Sequence, residues 1–90
     1  MIEVKLASQF SKFTCDVNSF QCSAQDTERL LLQMEEDFAE LHAEIVHDGR
    51  LSTFISLVVN NVPYTDAKEI AELRFENGDK VYLLSAIAGG

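Results

Sequence analysis

Between residues 26 and 45 the apolar residues recur every three or four positions, and on both sides of that segment they recur every two. Leu30, Leu31, Met34, Phe38, Leu41 and Ile45 make one apolar stripe, the pattern of an amphipathic helix. Glu35, Glu36, Asp37, Glu40 and Glu44 fall on the other side, where a solvated face is expected. Asp26 or Thr27 suits the N-cap, because a short side-chain oxygen can accept from the free N–H groups of the first turn. The helix, or two consecutive short ones, should end before Asp48-Gly49, where a left-handed turn suits glycine. One stripe covers one face of one sheet, so an α+β fold follows: a mixed sheet with one main helix on one side.

The flanking segments supply the strands. Ile2-Glu3-Val4-Lys5-Leu6 alternates apolar and charged residues. After a polar break over 8–12, Phe13, Cys15 and Val17 continue the alternation, so the first twenty residues predict a β-hairpin with Phe20 closing the core. Phe54-Ile55-Ser56-Leu57-Val58-Val59 is β-branched and aromatic enough for a strand. Asn60-Asn61 tolerates the positive φ of a tight turn, and Val62-Pro63-Tyr64 reads as a short edge strand, since proline cannot donate within a central ladder. Residues 67–73 have weak helical spacing and are expected to be irregular or a single turn. Asn77-Gly78-Asp79 marks a turn, Lys80 to Leu84 the last strand, and 85–90 a flexible tail. The 90 residues are expected to form a single domain.

Strands 54–59 and 81–84 carry apolar residues at odd and even positions alike. An antiparallel sheet with a solvated face normally alternates, and one helix covers only one face. Either segment 62–79 folds over the second face, or that face meets a partner. Tyr82 and Leu84 are the candidate docking residues, with either the odd or the even set of 54–59.

Fifteen Asp and Glu against seven Lys and Arg give a net charge of -8. Nucleic-acid binding needs clustered cations and is not expected; a basic partner surface is compatible. No apolar run approaches the ~20 residues that span a bilayer, and Ile-Glu-Val-Lys-Leu after Met1 does not resemble an export signal, so the expected location is cytoplasmic. Cys15 and Cys22 on one extended strand would stand roughly 23 Å apart, beyond disulfide reach, and are expected to be reduced, each acting as a small buried apolar group. His42 and His47, with Asp48 adjacent, do not have the spacing of a zinc pair. Asp66, Glu69 and Glu72 share one helical face without the marks of an acid/base couple, and neither cysteine has an obvious base beside it. No metal, no bound cofactor and no catalysis by the chain itself are expected.

The closing segment, Asn77-Gly78-Asp79-Lys80-Val81-Tyr82-Leu83-Leu84-Ser85-Ala86-Ile87-Ala88-Gly89-Gly90, resembles that of the β-grasp sulfur carriers, in which a Gly-Asp turn leads into the last strand and a Gly-Gly end. The resemblance is to the small subunit of molybdopterin synthase and its relatives, including the thiamine-pathway carrier. It extends over the whole chain in element order, and Asp48-Gly49-Arg50-Leu51 also looks like the molybdopterin type. Ser85-Ala86 stands where the family often has two prolines. The resemblance implies a ubiquitin-like β-grasp fold with about four to five strands. It also implies an E1-like enzyme that spends ATP to adenylate Gly90, and a persulfide that leaves a thiocarboxylate there. The acceptor would be a large synthase subunit or another sulfur acceptor, with molybdopterin the first expectation. Thiamine, cysteine or tRNA thiolation, a ubiquitin-like modifier and a non-catalytic adaptor are the other readings.

Such a tail makes chemical sense. A terminal carboxylate is ionised at neutral pH and a poor electrophile, so it needs activation before sulfur can replace an oxygen. Gly89 and Gly90 can thread a narrow channel, Ala86 and Ala88 keep the neck slim, and from Ile87 the extended tail reaches roughly 13 Å. Gly90 is thus the expected reacting residue, Gly89 the threading residue, and Tyr82, Leu84, Ala86, Ile87 and Ala88 the expected partner contacts.

Overall fold

The first and last strands are neighbours at the centre of a five-stranded mixed sheet, in a computed structural model that describes residues 1–85. β1 (Ile2–Leu6) runs parallel to β7 (Lys80–Ser85), with Val4 opposite Val81 and Leu6 opposite Leu83. β2 (Ser19–Cys22) adds antiparallel to the outer edge of β1. On the other side of β7 lies β5 (Ile55–Val59), antiparallel, followed by β6 (Val62–Tyr64). The order is β2-β1-β7-β5-β6, which places Pro63 on an edge strand. There its missing N–H interrupts no central ladder.

The odd residues of β5 and β7 face the helices. Ile55, Leu57, Val59, Val81 and Leu83 are buried with Ile2, Val4 and Leu6 beneath Leu30, Leu31, Met34, Leu41 and Ile45. Burying a residue such as Leu57 contributes on the order of 1.5–3 kcal/mol, so this interleaved set is the main stabilising term. The amphipathic segment forms two helices, α1 (Thr27–Asp37) and α2 (Ala39–Ile45). Asp26 caps α1, its Oδ1 accepting from the Arg29 N–H at 2.9 Å. Phe38 breaks the run with φ -137° and ψ 63°, and its ring meets Phe20 at 4.9 Å between centroids.

Several elements differ from the sequence expectation. Residues 13–17 are not a strand: a 3-10 helix covers Ser8–Phe13, and Cys15 and Asp16 follow with positive φ. The hairpin partner of β1 is therefore 19–22, and Cys15 is exposed while Cys22 is buried. Asp48 and Gly49, both at positive φ, close a small hairpin of β3 (Val46–His47) and β4 (Arg50–Leu51). Of the two expectations for 67–73, irregular structure or a single turn, the structure has the second: α3 (Ala67–Ala71) is little more than one turn, held because Ile70 enters the core and the buried Thr27 hydroxyl donates to its carbonyl at 2.5 Å. Ser85, expected in the tail, pairs with Ile55 as the last residue of β7.

Candidate functional site

β7 is bonded on both edges, by β1 and by β5, so its side chains are held in register from two directions. A clasp fixes its start. Asn60, in the β5–β6 turn with φ 50°, accepts from the Lys80 N–H at 3.0 Å and donates its amide to Asp79 Oδ1 at 2.9 Å. Asp79 Oδ2 accepts from the Glu76 N–H at 2.8 Å. The Glu76 N–H, and then the Asn60 amide, hold the Asp79 carboxyl below the usual carboxylate range, against a small opposing effect of burial. Gly78, at φ 92°, supplies the turn ahead of it.

Even-numbered residues of β7 point to the reverse face. Tyr82 is 40% exposed and lies between Lys5 of β1 and Val58 of β5; Leu84, half-buried, lies opposite Ser56. Of the even set of 54–59, Ser56 and Val58 thus share the face of Leu84 and Tyr82, Phe54 precedes the strand, and the odd set is core. Segment 67–71 packs on the helix side, in contact with α1 and β4. A shallow concavity of about 240 Å³ surrounds Tyr82, with Lys5, Lys80, Val58, Asn60 and Asn61 in its walls. In a chain of net charge -8, this places two cations beside an aromatic ring on an otherwise open surface. The alternation of 2–6 and 80–84 shows that both lysines leave the core side, but only the β1–β7 register brings them together.

Of the expected site residues, Tyr82 and Leu84 share this face. Ala86, Ile87, Ala88, Gly89 and Gly90 lie outside the described residues. His42 Nδ1 stands 4.0 Å from Glu35 Oε2, while His47 is on β3 opposite Arg50. Among the described residues no three His, Cys, Asp or Glu side chains gather where one metal ion could be held, and no helix is long and apolar enough to cross a membrane.

The sequence matches no protein-family profile and no curated protein. Solved structures do match. A chain of the Amycolatopsis orientalis BexX/CysO complex aligns over 100% of both chains with a TM-score of 0.83 and 22% identity. Mycobacterium tuberculosis CysO aligns over 97% of this chain and 100% of its own, with a TM-score of 0.79 and 18% identity. The small archaeal modifier protein 1 of Methanosarcina acetivorans aligns over 99% and 95%, with a TM-score of 0.80 and 19% identity. The shared architecture is the ubiquitin-like β-grasp.

Proposed function

We propose that this chain is a ubiquitin-like sulfur carrier that works through Gly89-Gly90. The Gly90 carboxylate attacks ATP on an E1-like enzyme, giving an acyl-adenylate and pyrophosphate. A persulfide sulfur then displaces AMP, and a thiol cleaves the resulting S–S bond to leave the thiocarboxylate. That sulfur is the nucleophile passed to an acceptor, with the large subunit of a molybdopterin synthase as first choice and a cysteine-forming or thiolating enzyme as the alternative. The chain binds no cofactor in this scheme; ATP belongs to the activating partner.

The observation that supports the reading is the anchoring of β7. Held between β1 and β5 and clasped by Asn60 and Asp79, it gives the Gly-Gly segment a fixed origin. It also carries Tyr82 and Leu84 on an open face beside that origin. Docking of this face, with Ala86, Ile87 and Ala88 as the neck, would set the end of the chain in a partner's site, where positioning dominates rate.

Intact-mass spectrometry after incubation with ATP, an adenylating enzyme and a persulfide donor tests this. One oxygen should be replaced by one sulfur at Gly90. Gly89→Val adds a side chain at the threading position, and deletion of Gly90 shortens the reach by about 3.5 Å. Both should lose about a hundredfold in transfer while unfolding as wild type does, within roughly 0.5 kcal/mol. Full transfer by both variants would remove the tail from the mechanism. A second reading, a protein modifier, is favoured by the likeness to small archaeal modifier protein 1. It predicts an isopeptide between Gly90 and a lysine of another protein, visible as a branched peptide after proteolysis.

A further inference from the structure

On the helix side, away from Tyr82, α1, the β3–β4 hairpin and α3 frame an open groove of about 670 Å³. Its size falls in the range of roughly 300–1,000 Å³ typical of ligand sites. Both walls are built. The Thr27 hydroxyl ties α1 to α3 through the Ile70 carbonyl, and the Asp48-Gly49 turn fixes the hairpin. Leu31, Leu51 and Ile70 form an apolar floor at 8, 7 and 3% exposure. Leu32 stands on the rim at 57% exposure, unlike every other large apolar side chain of the described helices.

The rim is acidic on balance: Glu28, Glu35 and Asp48 against Arg50, with His42 placed 4.0 Å from Glu35. That choice of charges decides the occupant. A second copy would bring an identical acidic rim and another net charge of -8. Residues 86–90, Ala-Ile-Ala-Gly-Gly, offer no cation to meet the carboxylates. We infer that the groove docks a basic amphipathic segment of a partner protein, with aliphatic side chains on Leu32 and the floor and Lys or Arg on Glu28, Glu35 and Asp48. This is the helix-in-groove mode with its charges specified. It is independent of the Gly-Gly chemistry and leaves the sheet's reverse face free for a different protein.

The test uses the isotopically labelled full chain and a synthetic amphipathic peptide of leucine and lysine at helical spacing, with a leucine/glutamate peptide of the same pattern. Amide shifts should change along 27–35, 46–51 and 67–71 with the lysine peptide and not with the glutamate peptide. Leu32→Glu, at an exposed position, should weaken binding about tenfold or more, and so should Glu28→Lys combined with Glu35→Lys. Three results would overturn the inference. One is equal binding of the glutamate peptide. Another is lysine-peptide shifts spread over 36–44 that Leu32→Glu leaves unchanged, the mark of general charge attraction. The third is shifts in the same groove on raising protein concentration alone, which would make the occupant a second copy.

Discussion

Asp79 shows how one side chain can tie a turn to the start of the strand that follows it. Its two carboxylate oxygens accept from Glu76 and Asn60, and its backbone N–H and carbonyl bond Glu76 and Glu3. Those bonds favour the ionised form, so the folded chain binds this proton less readily than the unfolded one. The stabilisation is therefore complete above the ordinary carboxylate range and is lost as pH falls through it towards the lower folded value. Asp79→Asn should accordingly lower the urea midpoint near neutral pH, and the gap to wild type should close below about pH 4. Denaturation curves at several pH values check this; a gap unchanged into strong acid would mean that the charge plays no part in the clasp.

At the scale of elements, the tight turns make the cleanest experiments. Gly49 has φ 76°, and a Cβ added there would meet nothing within 4 Å, so Gly49→Ala isolates the backbone cost of the left-handed conformation. The expected loss is about 1–2 kcal/mol, on the order of 5 °C or more in Tm, read by calorimetry. An unchanged Tm would mean that the β3–β4 turn contributes nothing to stability. Such turns were also what the sequence declared most clearly, since Asn60-Asn61, Asp48-Gly49 and Gly78 act through backbone preferences that do not depend on distant residues. The Asp26 cap and the edge placement of Pro63 were legible for the same reason. Residues 13–17 misled because the alternation of Phe13, Cys15 and Val17 marks no common face: Phe13 ends the 3-10 helix, and Cys15 and Val17 are exposed beyond it. The choice between an irregular segment and a single turn at 67–73 stayed open in the sequence because Ile70 gains its burial from Thr27 and the core, far away in sequence. The candidate face was half legible: Tyr82 and Leu84 could be named, but the choice between odd and even residues of 54–59 needed the sheet order.

Across the whole molecule, the two open surfaces lie on opposite sides of one core and differ in charge. The reverse face sets Lys5 and Lys80 around Tyr82, whereas the helix-side groove is rimmed mainly by carboxylates. Leu84→Glu should therefore weaken association with the activating partner proposed above while leaving the unfolding transition in place, because Leu84 is only half-buried. Leu30→Glu, at 1% exposure, should unfold the chain, since a carboxylate cannot be buried there unpaired. Equal unfolding by both variants would make the reverse face part of the core rather than a docking surface. The pairing of β1 with β7 carries a consequence of another kind. During synthesis β1 emerges first and its central neighbour last, so the middle of the sheet cannot close while residues 80–85 are still unmade. The whole of 7–79 is thus made while β1 still lacks its central neighbour. A message that stops before residue 80 yields a product without that centre, which cannot present the folded sheet to any partner.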